Sequence, residues 1–417
     1  LKLPNFPYRN LLSSKHRAMS GLPRWEGPKS PEPTMSHLFR RSFRHIQMLA
    51  KQQSHTLTLG QLMRSTRSDT VSLIRQGQWL RNQLPIRFAR RLDEFLQLPY
   101  LVVHNQNIKQ VFDIYVDTFE SVSDFPNIIT ERDEAAFADL IRAQLEKHQQ
   151  VARFIAEGYR EVRHMYPHLR LDSFLDRLFI ARISARILME NYIRMRTPQE
   201  GFIGVVQKEL SPLQVFQELS NEITRLTEAI YGVAPDIEFR GNLACTLDYI
   251  PRHVQFMGQE LLKNAVRATT ERHRPRDDLG GIGFTSRSES IPKVVVEVQK
   301  SDVHVIIKIS DQGGGMPKRI QEEAWQYGWT TADHEEEDDP YSGSTWRKEL
   351  AGYGFGLPLT RLHAQYFGGD VFMQALPGHG TDMYLLLNHL KEGSPSTEED
   401  DPSTALTETE NRSVNAP

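Results

Sequence analysis

The chain has only one cysteine, Cys245, among 417 residues, and no long uninterrupted apolar run. A single cysteine forms no intramolecular disulfide and cannot build a cysteine-rich zinc site. A helix that crosses a membrane needs about 20 apolar residues in succession. Basic and acidic residues nearly cancel, at a net charge of −3, which gives no indication of a nucleic-acid partner. We therefore expect neither a membrane span nor nucleic-acid binding, and the length favours two domains over one.

Both ends of the chain differ in composition from the rest. Residues 1–50 are basic and poor in acidic residues, with serines and prolines interspersed. This is the composition of a mitochondrial transit region, and a disordered basic tail is the alternative. Residues 391–417 are acidic and contain few apolar residues. They cannot bury enough surface to offset the entropy of ordering, so we expect disorder.

Between residues 55 and 197 the apolar residues recur with helical spacing. Four such stripes lie at 73–84, 111–119, 137–155 and 174–188. Four long amphipathic segments with short connections predict an antiparallel four-helix bundle. Pro85 is expected to kink or break the first helix. Arg177, Arg182 and Arg186 lie beside the last stripe, where a solvated face and an interdomain or substrate contact are equally compatible with the pattern.

The second half of the chain alternates between helical and strand-like patterns. Residues 198–212 are predicted to be a linker, and the helix that follows, 213–231, ends at Gly232, a typical left-handed cap. Strand-like segments and two further helices follow at 237–239, 246–250, 252–272, 294–298, 303–309, 357–367, 371–376 and 382–387. This order predicts a domain over 213–390, with a mixed sheet covered on one face by helices.

A polar, acid-rich insertion occupies residues 325–351 of that domain. A solvated loop is the default interpretation of such a run. Long loops in compact domains are usually functional or disordered. Its position between two glycine-rich segments makes it a candidate lid over a ligand.

One predicted helix carries three polar side chains in a row. Glu260, Asn264 and Arg267 share a face at spacings of four and three residues. A carboxamide oxygen is a hard ligand suited to Mg²⁺, and a guanidinium complements phosphate. The opposite face is apolar and can be buried, with Leu261, Leu262, Ala265 and Val266. Such a row alone is more often the solvated face of a helix.

Three glycine-rich segments follow this helix. They are Asp-Gln-Gly-Gly-Gly-Met-Pro at 311–317, Gly-Tyr-Gly-Phe-Gly-Leu-Pro at 352–358 and Gly-His-Gly-Thr at 378–381. Each alone is a turn or a weak phosphate-binding signal. Their order after a helix with an acid and an asparagine is far more specific than any one of them.

That series resembles the four motifs of the GHKL superfamily of ATPases and kinases. In detail, "ELLKNAVRAT", "ISDQGGGMP", "GYGFGLPLTRLHAQYFGG" and "GHGTD" are similar to motifs of the mitochondrial 2-oxoacid dehydrogenase kinases, which act on the pyruvate and branched-chain complexes. The similarity extends upstream through 80–92 and 174–188 and covers about residues 55–390. It implies an α+β protein of the mitochondrial matrix, with an N-terminal four-helix bundle followed by a GHKL-type α/β-sandwich ATP-binding domain.

The resemblance implies a role for each motif in binding ATP and Mg²⁺. Asn264 would hold the metal and Asp311 would accept a hydrogen bond from the adenine amino group. Thr381 would support the adenine side. The remaining residues expected at the nucleotide are Arg267, Gly313, Gly315, Thr330, Thr331, Gly352, Tyr353, Gly354, Phe355, Gly356 and Leu357.

The implied activity is a protein serine kinase. It would phosphorylate and inactivate the decarboxylase subunit of the pyruvate dehydrogenase complex, with the branched-chain complex as the alternative substrate. Glu260, also expected beside the nucleotide, would be the general base that takes the proton of the substrate serine. The same carboxylate would equally serve a water-activating ATPase. Docking on the lipoyl-bearing acyltransferase core and a homodimer are implied by the family.

Three departures from the family bear on these roles. Pyruvate dehydrogenase kinases usually carry a histidine four residues before the base. This chain has Phe256 at that position. The branched-chain kinase also lacks the histidine. The tail lacks the Asp-Trp element that links subunits in pyruvate dehydrogenase kinases. A K⁺ site is a family trait, and the backbone around Ala324, Gln326 and Trp329 matches it in position, although not every side chain matches.

Two other functions share part of this pattern. A sensor histidine kinase would need a phosphoacceptor histidine on a helix before the ATP domain, and 213–231 contains none. A non-catalytic ATP-binding scaffold is disfavoured because the acid, the asparagine and every key glycine are present. The long helical region disfavours GHKL chaperones and topoisomerases.

Overall fold

In a computed structural model of the chain, the structure describes residues 35–52, 62, 69–273, 291–330 and 354–388. The predicted acidic tail, the first 34 residues of the predicted transit region and residues 331–353, which include most of the predicted lid, lie outside these ranges. The chain forms two compact units, Leu1–Phe43 and Arg44–Pro417. Of the first unit only the start of helix α1 (Met35–Ala50) is described.

The helical part of the second unit is a bundle of long helices. They are α2 (Thr70–Gln97), α4 (Gln106–Ser123), α5 (Glu131–Lys147), α6 (Val151–Met165) and α7 (Asp172–Met195), with the short α3 (Tyr100–Val103) between α2 and α4. Helix α2 packs against α4 and α7, and α4 packs against α6. Across the described ranges, no helix is both long and apolar enough to span a membrane.

Helix α2 runs without interruption through Pro85. Of the predicted kink or break, the break is therefore wrong and the kink stays a prediction. A proline inside a helix costs about 3 kcal/mol. The neighbouring turns bury Leu84 and Phe88 almost completely in the bundle, and each such burial contributes about 2 kcal/mol. Packing on both sides of the proline therefore keeps the helix continuous.

The third predicted stripe, 137–155, is divided between two helices. A 3-10 turn at His148–Gln150 separates α5 from α6. The turn directs His148 into the bundle, where its Nε2 lies 2.9 Å from the Thr118 hydroxyl. The residues between the two helices are still helical in character, which explains why periodicity alone did not reveal the division.

A small sheet joins the helical part to the rest of the unit. Strands β1 (Phe202–Ile203), β2 (Val206–Leu210) and β4 (Leu247–Tyr249) form it, in the order β1-β2-β4. The first two strands lie within the predicted linker, where the sequence pattern did not indicate strands. The third was expected in the large sheet. Gly241, at φ +85°, turns the chain away from that sheet after β3 (Ile237–Gly241).

The large sheet has five strands in the order β3-β5-β6-β8-β7. Strand β3 runs parallel to β5 (Val294–Lys300), and the other neighbours are antiparallel: β6 (His304–Ser310), β8 (Gly380–Asn388) and β7 (Asp370–Leu376). The predicted hairpin of β5 and β6 is confirmed. Alternate residues on these strands are buried, among them Val296, Ile307 and Leu385.

Helices cover one face of this sheet. Helix α8 (Pro212–Tyr231) packs on α9 (Pro251–His273), and α9 and α11 (Gly356–Gln365) pack on the strands. The short α10 (Lys318–Glu323) lies beside β7. Gly232 ends α8 with φ +74°, as predicted. The predicted α+β architecture, a helical bundle followed by an α/β sandwich, is confirmed.

Candidate nucleotide-binding site

Helix α9 has the two faces that its sequence predicts. Leu261, Leu262, Ala265 and Val266 are all buried in the core. On the other side Asn264 is exposed to solvent. Its carboxamide is therefore accessible to a ligand from outside.

Glu260 lies on the same helix but is only 6% exposed. Lys263 donates a hydrogen bond of 2.7 Å to its Oε1, and this ion pair is largely shielded from water. Phe256, one turn earlier, packs against the ring of His363 and offers no hydrogen bond. Lys263 is thus the group that orients the carboxylate.

Glycine is required where the second glycine-rich segment reaches Glu260. A Cβ on Gly356 would overlap the Glu260 carboxylate. Gly356 is also the first residue of α11, so the unpaired N–H groups at the start of that helix lie beside the carboxylate. The structure therefore brings Glu260, Asn264 and the second glycine-rich segment to one place.

Arg267 has a different environment from the other two residues of the row. Its Nε donates to Glu271 Oε1 at 2.6 Å, and Tyr231 donates to the same oxygen at 2.9 Å. These contacts tie Arg267 to helix α8. A phosphate would have to compete with Glu271 for the guanidinium.

Asp311 joins the first and third glycine-rich segments. Its Oδ1 accepts the N–H groups of Gly313 at 2.8 Å and Thr381 at 3.2 Å. Burial raises the pKa of this carboxyl to about 6, although both hydrogen bonds act in the opposite direction. The contacts in the described part of the chain use Oδ1, which leaves Oδ2 as the acceptor for a ligand.

The two loops around Asp311 are held close by glycine. Gly315 has φ +60°, and a Cβ there would overlap the backbone of Leu376. Gly378 donates to the Gly314 carbonyl at 2.8 Å. A Cβ on Gly313 would overlap Ala268 of helix α9. The loops therefore form one edge of the space above α9.

The end of α9 fastens both loops. Arg272 donates to the Gly378 carbonyl at 2.8 Å, and the ring of His273 lies 3.1 Å from the Gln312 carbonyl. Neither residue was predicted at the site. Their position directly after the predicted row, on the same helix, was the available signal.

The second glycine-rich segment is described from Gly354 onward. Gly354 has φ +73° and lies against the backbone of Trp329, where a Cβ would overlap it. The side chain of Phe355 is fully buried, so only its backbone can face a nucleotide. Thr330 and Leu357 are both partly buried. Thr331, Gly352 and Tyr353 lie outside the described residues.

A metal ion bound at Asn264 would have few protein ligands. Over the described ranges, no three His, Cys, Asp or Glu side chains are grouped to hold a metal ion. The donor set is the exposed Asn264 carboxamide together with whatever oxygen atoms a ligand brings. Mg²⁺ commonly keeps several waters and binds phosphate oxygens with one or two protein groups, so the residues present fit it.

The bundle holds a separate cavity lined by basic side chains. Arg182 is partly buried there, and desolvation lowers its pKa to about 10. Its Nε has no hydrogen-bond partner among the described residues. Other lining residues are Arg87, Arg91, Tyr115, His148 and Arg186. Arg177 instead pairs with Glu94 at 3.3 Å, so the three arginines of the last stripe have different surroundings.

Two family models match the chain. Residues 56–207 match the mitochondrial branched-chain alpha-ketoacid dehydrogenase kinase model. Residues 250–391 match the histidine kinase-, DNA gyrase B-, and HSP90-like ATPase model. The second match contains α9 and all three glycine-rich segments.

Curated relatives extend the similarity over most of the chain. A mitochondrial [pyruvate dehydrogenase (acetyl-transferring)] kinase of Arabidopsis thaliana is 32% identical over 325 residues, covering 76% of this chain and 86% of the relative. The Schizosaccharomyces pombe protein of the same name is 27% identical over 432 residues, covering 86% and 99%. Human isozyme 4 is 30% identical over 334 residues, covering 76% and 77%.

Proposed function

The chain belongs to the family of mitochondrial 2-oxoacid dehydrogenase kinases, and we propose that it phosphorylates a serine on the decarboxylase subunit of such a complex. It is a protein kinase with a GHKL ATP-binding domain. The observation that carries the proposal is the meeting of the buried Glu260 carboxylate with Gly356, one helical turn from the exposed Asn264. Phosphorylation would inactivate the complex.

The pyruvate dehydrogenase complex is the substrate that we favour. The relatives described above are named pyruvate dehydrogenase kinases. The branched-chain complex is the second candidate, because the model that matches residues 56–207 carries that name and because Phe256 stands where pyruvate dehydrogenase kinases usually have histidine.

Glu260 is the proposed general base. It is held by Lys263 at 2.7 Å and is shielded from bulk water. In this position the carboxylate orients the serine hydroxyl and takes its proton while the phosphoryl group is transferred. Keeping water out favours transfer to serine over hydrolysis.

Asp311 is the proposed adenine acceptor. Oδ1 is used by the backbone, and Oδ2 remains for the exocyclic amino group. Gly313, Gly315 and Thr381 border the same space. Gly354 and Gly356 would present backbone N–H groups to the phosphates at the start of α11, where the helix dipole favours anions. Arg267, Thr330, Phe355 and Leu357 complete the proposed set, together with Thr331, Gly352 and Tyr353.

We propose Asn264 as the Mg²⁺ ligand. Bound there, Mg²⁺ would neutralise phosphate charge and orient the phosphates. The carboxamide is exposed on the nucleotide side of α9 and supplies one oxygen. A K⁺ ion beside the backbone of Ala324, Gln326 and Trp329 is proposed from the family resemblance alone.

We also propose a homodimer in the mitochondrial matrix that docks on the lipoyl-bearing acyltransferase core. The relatives are named mitochondrial kinases. The uncovered face of the large sheet supports the dimer, since Phe372 and Leu376 on its edge strand are 47% and 61% exposed. The proposed domains are a bundle over 55–197 and an ATP-binding domain over 213–390.

Labelled ATP with Mg²⁺ and purified pyruvate and branched-chain complexes tests the function. We expect label on serine of one decarboxylase subunit, and the labelled complex identifies the substrate. Label held on histidine would indicate a sensor-type kinase. Nucleotide binding without any transfer would indicate a scaffold, and either result would contradict the proposal.

A further inference from the structure

Three residues, Tyr327, Gly328 and Trp329, form a segment that we call the tether. The Gly328 N–H donates to the Gly354 carbonyl at 3.1 Å. Gly354 lies so close to the Trp329 backbone that no side chain fits between them. The tether is therefore the surface on which the second glycine-rich segment rests.

Helices of the bundle hold the tether by two polar contacts. The Tyr327 hydroxyl donates to Asp176 Oδ1 of α7 at 2.7 Å. Arg163 of α6 donates to the Tyr327 carbonyl, also at 2.7 Å. Asp176 is 151 residues away in sequence and belongs to no nucleotide-binding motif. Both ends of Tyr327, side chain and backbone, are thus fixed from the bundle.

An aromatic cluster reinforces these contacts. The ring of Phe355 lies 5.1 Å from that of Tyr327, 5.8 Å from Tyr159 and 5.9 Å from Phe179, measured between centroids. The last two rings belong to α6 and α7. The residue between Gly354 and Gly356 is therefore seated on the same pair of helices as the tether.

The bond between the buried Tyr327 phenol and the partly buried Asp176 carboxylate provides direction that apolar packing lacks. Burying a carboxylate is unfavourable unless it is well bonded. Burial raises the pKa of Asp176, and the Tyr327 hydrogen bond opposes that rise. Asp172 and Arg177 of the same helix and Arg361 of α11 also act on this carboxyl. The bond fixes Tyr327 in one orientation within a cluster that would otherwise permit several.

We propose that Asp176, Arg163 and Tyr327 are positioning residues for the nucleotide. These three residues fix the tether, and the tether in turn fixes Gly354. Gly356, two residues later, contacts the Glu260 carboxylate. Two bundle helices thereby determine the nucleotide affinity of a site built by other elements. The inference rests on the proposed ATP-binding role of the second glycine-rich segment.

Calorimetric binding of Mg-ADP to the full chain tests this role. Tyr327→Phe keeps the ring and removes only the hydroxyl, and we expect its affinity to fall about tenfold. Asp176→Leu should lower the affinity for Mg-ADP by the same factor. Asp176→Asn can still accept the hydrogen bond and should bind Mg-ADP nearly as well as the wild type. Tyr327→Phe combined with Asp176→Leu should be no weaker than either alone. Hydrogen exchange should accelerate at the amides of residues 354–357 and 359.

Tyr192→Phe is the matched control. Tyr192 lies on the same helix α7 and donates to buried Glu134 at 2.7 Å, away from the glycine-rich segments. Tyr192→Phe should lower the melting temperature about as much as Tyr327→Phe does, and it should leave the affinity for Mg-ADP unchanged. Equal losses of affinity in Tyr192→Phe and Tyr327→Phe would overturn the proposal, as would wild-type affinity in Tyr327→Phe.

Arg163→Met tests the second contact and replaces Tyr327→Phe if that variant does not fold. It should also weaken Mg-ADP binding, and unchanged affinity would contradict the proposal. The readout requires no phosphoryl transfer. A wild-type chain that binds Mg-ADP but labels no serine would overturn the proposed function and leave the positioning role supported by these variants.

Discussion

Replacing Asp311 by Asn tests how the adenine amino group is recognised. The carboxyl is partly buried, and desolvation raises its pKa to about 6 from 3.8. An amino group that donates to this carboxyl binds its ionised form. Nucleotide binding must therefore expel a proton from the fraction of molecules in which Asp311 is protonated.

The free-energy cost of ionising Asp311 in the folded chain follows from its folded-state and ordinary pKa values. The difference between 3.8 and about 6 corresponds to about 3 kcal/mol. Because the folded-state pKa is raised, the folded chain holds the proton between these pH values and the unfolded chain does not. The free energy of unfolding therefore falls as the pH rises through this window, and the full cost is present at pH 7. A hydrogen bond from the adenine amino group offsets part of it.

Calorimetric titration with Mg-ADP at pH 6, in two buffers of different protonation enthalpy, measures the expelled proton. We expect this carboxyl to release about half a proton in the wild type and none in Asp311→Asn. The variant should also bind about tenfold more weakly. The phosphates titrate equally in both proteins, so the difference isolates Asp311. Equal proton release by both proteins would show that Asp311 does not lose a proton when the nucleotide binds.

The remaining predictions concern the phosphate side and the bundle. Gly356→Ala places a methyl group against the Glu260 carboxylate, and phosphoryl transfer should fall about a hundredfold while the fold is retained; calorimetric unfolding and a transfer assay check this. Asn264→Ala should weaken binding of Mg-ADP but not of metal-free adenosine, and unchanged Mg-ADP affinity would exclude the metal role. A small monocarboxylate at about a hundred times its Kd should stabilise the chain by about 3 kcal/mol through the basic cavity, and Arg182→Met should abolish that stabilisation.

The parts of the fold that depend on local pattern were predictable. Gly232 ends its helix because only glycine accepts the left-handed cap readily, and this preference is visible in the sequence. Leu261 and Val266 are buried because helical spacing places them on one face. The pairing of β5 with β6 follows from two alternating runs around a short turn.

Features that depend on distant residues were not predictable. Pro85 lies within a helix because burial of its neighbours outweighs the local cost. Residues 247–249 pair with β2 instead of joining the large sheet, and neither segment's own pattern indicates this pairing of distant residues. The Tyr327–Asp176 bond joins residues whose sequence positions share no pattern.

Two contacts at the site were within reach of sequence reasoning. Lys263 is three residues after Glu260, and Glu271 is four residues after Arg267, so both pairs have the spacing of helical ion pairs. The sequence predicts roles at the nucleotide for all three members of the row: Glu260 as base, Asn264 as metal ligand and Arg267 as phosphate contact. The structure gives its first and last members partners within the protein.

We propose that Glu260 is the base of a kinase that inactivates a dehydrogenase complex. The most direct test incubates the pyruvate dehydrogenase complex with Mg-ATP and either the wild type or Glu260→Gln, and follows dehydrogenase activity together with phosphoserine. We predict that activity falls in step with serine phosphorylation only with the wild type, while the variant binds Mg-ATP normally. Inactivation by Glu260→Gln at the wild-type rate would contradict the account.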